Sequence, residues 1–146
     1  MPTKSNPTDW QTLCDYVRAT ADTLGLRDWD VRVHDDPSEE GFNAQMYTIE
    51  GKHLAWIQFA TNFSEIAPEE QRKVVVHELL HVHHTALEDV LWHDLRKSDS
   101  LSKPQFTQLW QTYRRTQEYV IDALACVIAH GLPLIPWNTK EETHHA

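Results

Sequence analysis

Val74-Val75-Val76-His77-Glu78-Leu79-Leu80-His81-Val82 is the stretch on which the reading of this chain turns. Its apolar residues cover nearly every side of a helix, and two histidines and a glutamate are set among them. On an α-helix that turns about 100° per residue, His77 and His81 stand about 40° apart, near enough to share one metal ion. Glu78 falls about 100° from His77, where it can reach a water at that metal without taking a ligand position. Unpaired inside a core, these groups would be costly. The bland alternative is a buried histidine pair satisfied by backbone or carboxylate hydrogen bonds, so a third ligand elsewhere in the chain decides between the two.

Two patterns offer that ligand. A third histidine following a glycine would be of metzincin kind, but His84 stands where the glycine belongs and Leu87 where the histidine belongs. Glu118-Tyr119-Val120-Ile121-Asp122 instead puts two carboxylates four apart on one helix face. One can bind the metal while the other takes the free ring N–H of a ligating histidine. Together with the His77–His81 motif, this pair resembles the gluzincins, in particular the small minigluzincins.

The resemblance runs from the strands near Trp29 to the end of the Glu118 helix. It implies His77, His81 and Glu118 as ligands of a Zn2+ ion, Glu78 as general base, and Asp122 as the partner orienting a ligand histidine, in the first place His77. The implied activity is that of a zinc metallopeptidase, in which a metal-activated water hydrolyses a peptide bond and Glu78 carries its proton to the leaving amine. The segment between His81 and Glu118 is longer than in large gluzincins. A similar motif with a distant helical glutamate occurs in regulatory metallopeptidases of phages and mobile elements. The alternative is therefore a zinc-binding regulatory or interaction module of that type, with narrow or no peptidase activity. Glu78 speaks against a purely structural site, which needs no base beside an open coordination position.

The 146 residues suit one domain with its own core. A formal charge of −9 with histidine neutral, and a pI near 5.5, argue against a nucleic-acid or anionic-membrane surface. Such surfaces need clustered Lys and Arg. The expected partner is a peptide or protein substrate, met by a monomer. Cys14 and Cys126 lie in separate helical patterns and read as buried, reduced thiols. The first residues lack the apolar core of a signal peptide, and no apolar run nears membrane-spanning length, which points to the cytoplasm.

Periodicity lays out the elements. Thr8 reads as the N-cap of a first helix carrying Trp10, Leu13, Tyr16, Val17 and Leu24 and ending near Gly25. Residues 29–34 alternate with period two, 44–49 form a second extended run, and 53–60 a third. That third run is apolar on both faces (Ala55, Trp56, Ile57, Phe59), which predicts helices on one side and a cleft or extended partner at its edge. Pro68 opens the motif helix, with Glu69 and Glu70 in its first turn, and the helix should run on to Trp92 or Leu95. Pro104 opens a last long helix, closed by a glycine cap at Gly131 before Pro133. The expected fold is α+β: a zincin-like single domain over 8–136, with an N-terminal helix, a small three-stranded sheet, the motif helix and a long C-terminal helix carrying the third ligand. Flexible ends are expected at 1–7 and 137–146.

Around the motif, His84 faces the metal side as a candidate substrate or oxyanion contact, with a passive place in the cleft wall as the alternative. His83 points to solvent or an acidic loop, and Arg115 suits a solvated salt bridge. Tyr113 and Tyr119 could each offer a phenolic donor, but fit core or rim packing better. The six tryptophans read as packing residues.

Overall fold

The computed structural model describes residues 7–49 and 51–138, so the expectations for 1–6 and 139–146 fall outside the described residues. The main elements are α1 (Pro7–Thr23), β1 (Asp30–Val33), β2 (Ala44–Thr48), β3 (Leu54–Phe59), α2 (Pro68–Asp89) and α3 (Lys103–Ala129). Three helices and a mixed three-stranded sheet make the class α+β. α1 starts at Pro7, so Thr8 lies within the helix and is not its cap; proline suits a first turn, where its missing N–H has no intrahelical partner. At the other end Gly25 takes φ +84. Leu26 N–H donates to Ala21 O at 2.9 Å and Gly25 N–H to Asp22 O at 3.2 Å, a left-handed closure that turns Leu26 into the core.

The strand order is β1-β3-β2, with β1 parallel and β2 antiparallel to β3. β3 is thus central, which corrects the expected cleft at its edge. Its Ala55, Ile57 and Phe59 are buried, while on the other face Trp56 packs against the His34 ring at 5.1 Å and the Arg32 guanidinium at 5.4 Å. One open edge belongs to β2. Ala60 N–H donates to Asn43 O at 3.0 Å and Ile49 N–H to Leu54 O at 3.0 Å, so alternate residues from Asn43 to Ile49 bond to β3. The main-chain groups of Ala44, Met46 and Thr48 therefore face away from the sheet.

α2 joins two cores. Val75, Leu79 and Val82 pack with α1 and the sheet, and Val76 and Leu80 pack on Ile121, Ala125 and Ala129 of α3. At about 100° per residue, these stripes leave one face of α2 uncovered, and His77, Glu78, His81 and Thr85 lie on it between β2 and α3. Leu79 is fully buried, and truncating it to alanine should cost about 2–5 kcal/mol.

Beyond Asp89 the motif helix widens into a π-helical segment, Val90–Leu95, as far as the periodicity predicts. There Trp92 packs on Phe106 and Trp110, with ring centroids 5.6 and 4.9 Å away. Pro104 lies in the first turn of α3, as expected, and Ser102 caps it: Ser102 Oγ accepts Gln105 N–H at 3.3 Å and Gln105 Oε1 accepts Ser102 N–H at 2.8 Å. The predicted glycine cap is also corrected, because Gly131 is not among the positive-φ residues. The helix end tightens through Gly131 N–H to Ile128 O and Leu132 N–H to Ala129 O, both 3.1 Å, and Pro133 bars further turns.

The chain then returns across the body. Tyr16 donates to Pro133 O at 2.7 Å, Arg72 to Leu132 O at 2.8 Å, and Trp137 Nε1 to Gln71 Oε1 at 2.9 Å. Ile135 is buried and Trp137 packs on the core, so the folded part includes Trp137 and the tail boundary at 137 is corrected.

Candidate metal centre

His77 and His81 leave the uncovered face of α2 with their Nε2 atoms 3.3 Å apart. α3, fixed on α2 by Ile121 and Ala125, brings Glu118 to both: Oε1 lies 2.8 Å from His81 Nε2 and Oε2 3.2 Å from His77 Nε2. Donors placed about 2.0–2.1 Å from the centre of a tetrahedron stand about 3.3 Å from one another. The spacings found here fit that cage, and the three side chains could hold a metal ion.

Asp122 follows Glu118 by one helical turn. Its Oδ1 lies 3.6 Å from His77 Nδ1 and 3.3 Å from Lys73 Nζ. His77 thus has a carboxylate near each ring nitrogen. Lys73 was not singled out from the sequence; its only signal is a place one turn before His77 on the same side of α2. Burial pulls Lys73 down, but hydrogen bonds to Cys126 and Asp122 and the charges of Asp122 and Glu70 outweigh it and hold the lysine above its ordinary value.

Glu78 sits between α2 and the open edge of β2. Burial, and then the charge of Glu118, push its carboxyl up to about 8, against the pull of the Met46 main-chain N–H. His81 goes the other way. Burial drives it well below its ordinary value, and the positive charges of His77, Arg114 and His84 add to that, while Glu118 opposes. A histidine kept neutral presents the lone pair that a metal needs.

The open edge of β2 and the helices enclose a hollow of about 500 Å³, whose walls include Met46, Thr48, His81, Thr85, Arg114 and Glu118. A smaller hollow of about 140 Å³ adjoins it at Asn43, Lys73, Val74 and Asp122, and both share His77 and Glu78. Outward main-chain groups of β2, three side chains that could hold a metal ion and the Glu78 carboxyl therefore meet in one cleft.

His84 is half-buried and lines neither hollow; its influence on the site is the charge it adds near His81. His83 does not reach an acidic loop, because its Nε2 is bonded to Leu24 O at the end of α1 at 2.6 Å. Tyr113 accepts from Gln117 Nε2 at 3.3 Å, Tyr119 is 77% exposed, and neither lines the cleft. The ion pair at the cleft rim is made by Arg114, not Arg115: Arg114 Nη1 lies 2.9 Å from Glu88 Oε1. Both cysteines are free, but Cys14 is only half-buried and Cys126 is exposed, which corrects the expectation of buried thiols. A second group, His34 with Asp35 and Asp36, also brings three donors together. There, however, His34 Nδ1 already accepts the Asp36 N–H at 3.0 Å.

Among the described residues, no helix is long and apolar enough to cross a membrane. No family model, curated protein or solved structure matches the chain.

Proposed function

We propose that the chain is a zinc-dependent metallopeptidase of gluzincin type, built on a zincin-like plan reduced to one small domain. The observation that carries the reading is the convergence of His77 Nε2, His81 Nε2 and Glu118 at 2.8 to 3.3 Å beside the buried carboxyl of Glu78. Nitrogen and carboxylate donors in a tetrahedral cage with one position open suit zinc better than calcium or magnesium, which favour six or more oxygens. Bound there, zinc supplies Lewis acidity that polarises the scissile carbonyl and makes the attacking water more acidic.

The chain's own residues do the rest. His77, His81 and Glu118 would hold the ion, and Asp122, 3.6 Å from His77 Nδ1, would favour the proton on that nitrogen so that Nε2 offers its lone pair. Glu78 accepts the proton of the attacking water and passes it to the leaving amine. The substrate lies extended along β2, paired with the outward main-chain groups of Ala44 and Thr48 and with the Met46 carbonyl, while the Met46 N–H stays with Glu78, so that register rather than side-chain reading delivers the bond to the metal.

The test combines metal analysis with digestion of a mixed peptide pool. Protein purified without added metal is expected to carry near-stoichiometric zinc and to cut peptides. Glu78→Gln is expected to keep the zinc and lose the cutting. Zinc at full occupancy with no cleavage of any peptide would favour the regulatory-module alternative instead.

A further inference from the structure

We propose that Arg114 receives a carboxylate of the peptide in the cleft and so makes the site selective for acidic substrates. The proposal rests on the peptidase reading for its occupant, and names the substrate class. Arg114 is the only Lys or Arg among the residues lining the larger hollow. It stands one helical turn before Glu118, a rise of about 6 Å, which places a bound carboxylate within about two strand residues of the bond over the ligand cage.

The donor inventory leaves room for a ligand. A guanidinium carries five N–H donors in a planar fork that matches a carboxylate. Among the described residues only Nη1 has a protein acceptor, Glu88 Oε1 at 2.9 Å; the Arg114 side chain is 45% exposed and is among the residues that line the hollow. Lys73, the cation of the smaller hollow, is held by Asp122 at 3.3 Å. The whole chain carries a formal −9, which repels acidic peptides at long range. Any preference for them must then come from a local donor, and Arg114 is the one in place. The carboxylate can come from an Asp or Glu side chain or from a free C-terminus.

The bland role for Arg114 is a tie between α2 and α3 through Glu88. Breaking the tie from either end would then have the same effect, whereas a carboxylate receptor gives Arg114→Gln and Glu88→Gln different outcomes.

Binding is measured by calorimetry on zinc-supplemented protein carrying Glu78→Gln, so that no turnover is needed. The probes are blocked peptides with Glu or Gln at each position in turn, and one peptide with a free or an amidated C-terminus. At one position Glu should bind about tenfold or more tighter than Gln; if the terminus is the source, the free acid should beat the amide by that factor. Raising the salt should shrink the preference. Arg114→Gln should abolish it, Arg114→Lys should keep part of it, and Glu88→Gln should retain or enlarge it. No preference in the parent, a preference that survives Arg114→Gln, or an equal loss in Glu88→Gln would overturn the proposal. Cleavage by the Glu78-intact protein with no acid preference sinks this proposal alone. Acid-selective binding without any cleavage sinks the peptidase reading alone.

Discussion

His77 Nδ1 lies 3.6 Å from Asp122 Oδ1, across the ring from the Nε2 that faces Glu118 at 3.2 Å. The two carboxylates divide the imidazole between them: one sits with the Nε2 atoms that could hold a metal ion, and the other faces Nδ1. Lys73 holds the second carboxylate in place from the preceding turn of α2. Asp122→Asn should therefore weaken metal binding by about 10 to 100-fold without destroying the site. Glu118→Ala removes a donor outright and should weaken it far more. Competition against a chromophoric chelator measures both. If Asp122→Asn loses the metal while Glu118→Ala keeps it, the roles of the two residues are exchanged.

Metal should also stabilise the fold. The three donors come from two helices, and an ion that binds them only when α2 and α3 are packed stabilises the native state by mass action, about 2.7 kcal/mol at a hundredfold excess over Kd. A rise of several degrees in Tm on adding zinc, reversed by a chelator and absent in Glu118→Ala, is the expected result. A Tm indifferent to metal would mean that the cage does not form in solution.

Glu78 gives a pH signature in the metal-free protein. Its folded value of about 8 lies above the ordinary 4.5, so the folded state keeps a proton that the unfolded chain releases. The associated stability is complete below the unfolded value and is lost as pH rises through about 8. Glu78→Gln never ionises. In the presence of chelator the variant should match the parent near pH 5 and exceed it near pH 8.5, by on the order of a few kcal/mol. Urea denaturation at the two pH values decides, and a difference that does not grow with pH would show that Glu78 is not buried as described.

The helices were legible in the sequence because their signals are local. Val75, Leu79 and Val82 recur at helical spacing, Pro68 marks the start of α2, and Glu118 and Asp122 share one face of α3. The proximity of Glu118 to His77 and His81 was reached only through the resemblance of two motifs, since nothing local says which helices pack together. Strand order was not legible. A run such as residues 55–59 is apolar on both sides whether it lies at the centre of a sheet or against a partner, and only the pairing with β1 and β2 distinguishes the two. Lys73 and Arg114 escaped notice, and the partner of His83 went unforeseen, for a related reason. Each is an ordinary helical polar residue until Asp122, Glu88 or the Leu24 carbonyl arrives from another part of the chain.

The open edge of β2 yields the last prediction. Hydrogen bonds from Ala60 to Asn43 and from Ile49 to Leu54 fix which residues of the strand face β3, and leave the main-chain carbonyls of Ala44, Met46 and Thr48 to the cleft, the Met46 N–H being taken by Glu78. A peptide laid along this edge has its own alternation, with every second N–H directed at β2 and the others directed to solvent. Methylating the peptide nitrogens one at a time should therefore weaken binding at every second position and leave the positions between nearly unaffected. A net backbone hydrogen bond is worth about 0.5–1.5 kcal/mol, and the added methyl group also blocks close approach, so tenfold losses at the sensitive positions are expected. The substrate is altered and the protein is not, which removes misfolding as an explanation. A flat profile, or one sensitive position without its neighbours two residues away, would mean that the peptide crosses the cleft without pairing with β2, and that side-chain contacts alone position the bond.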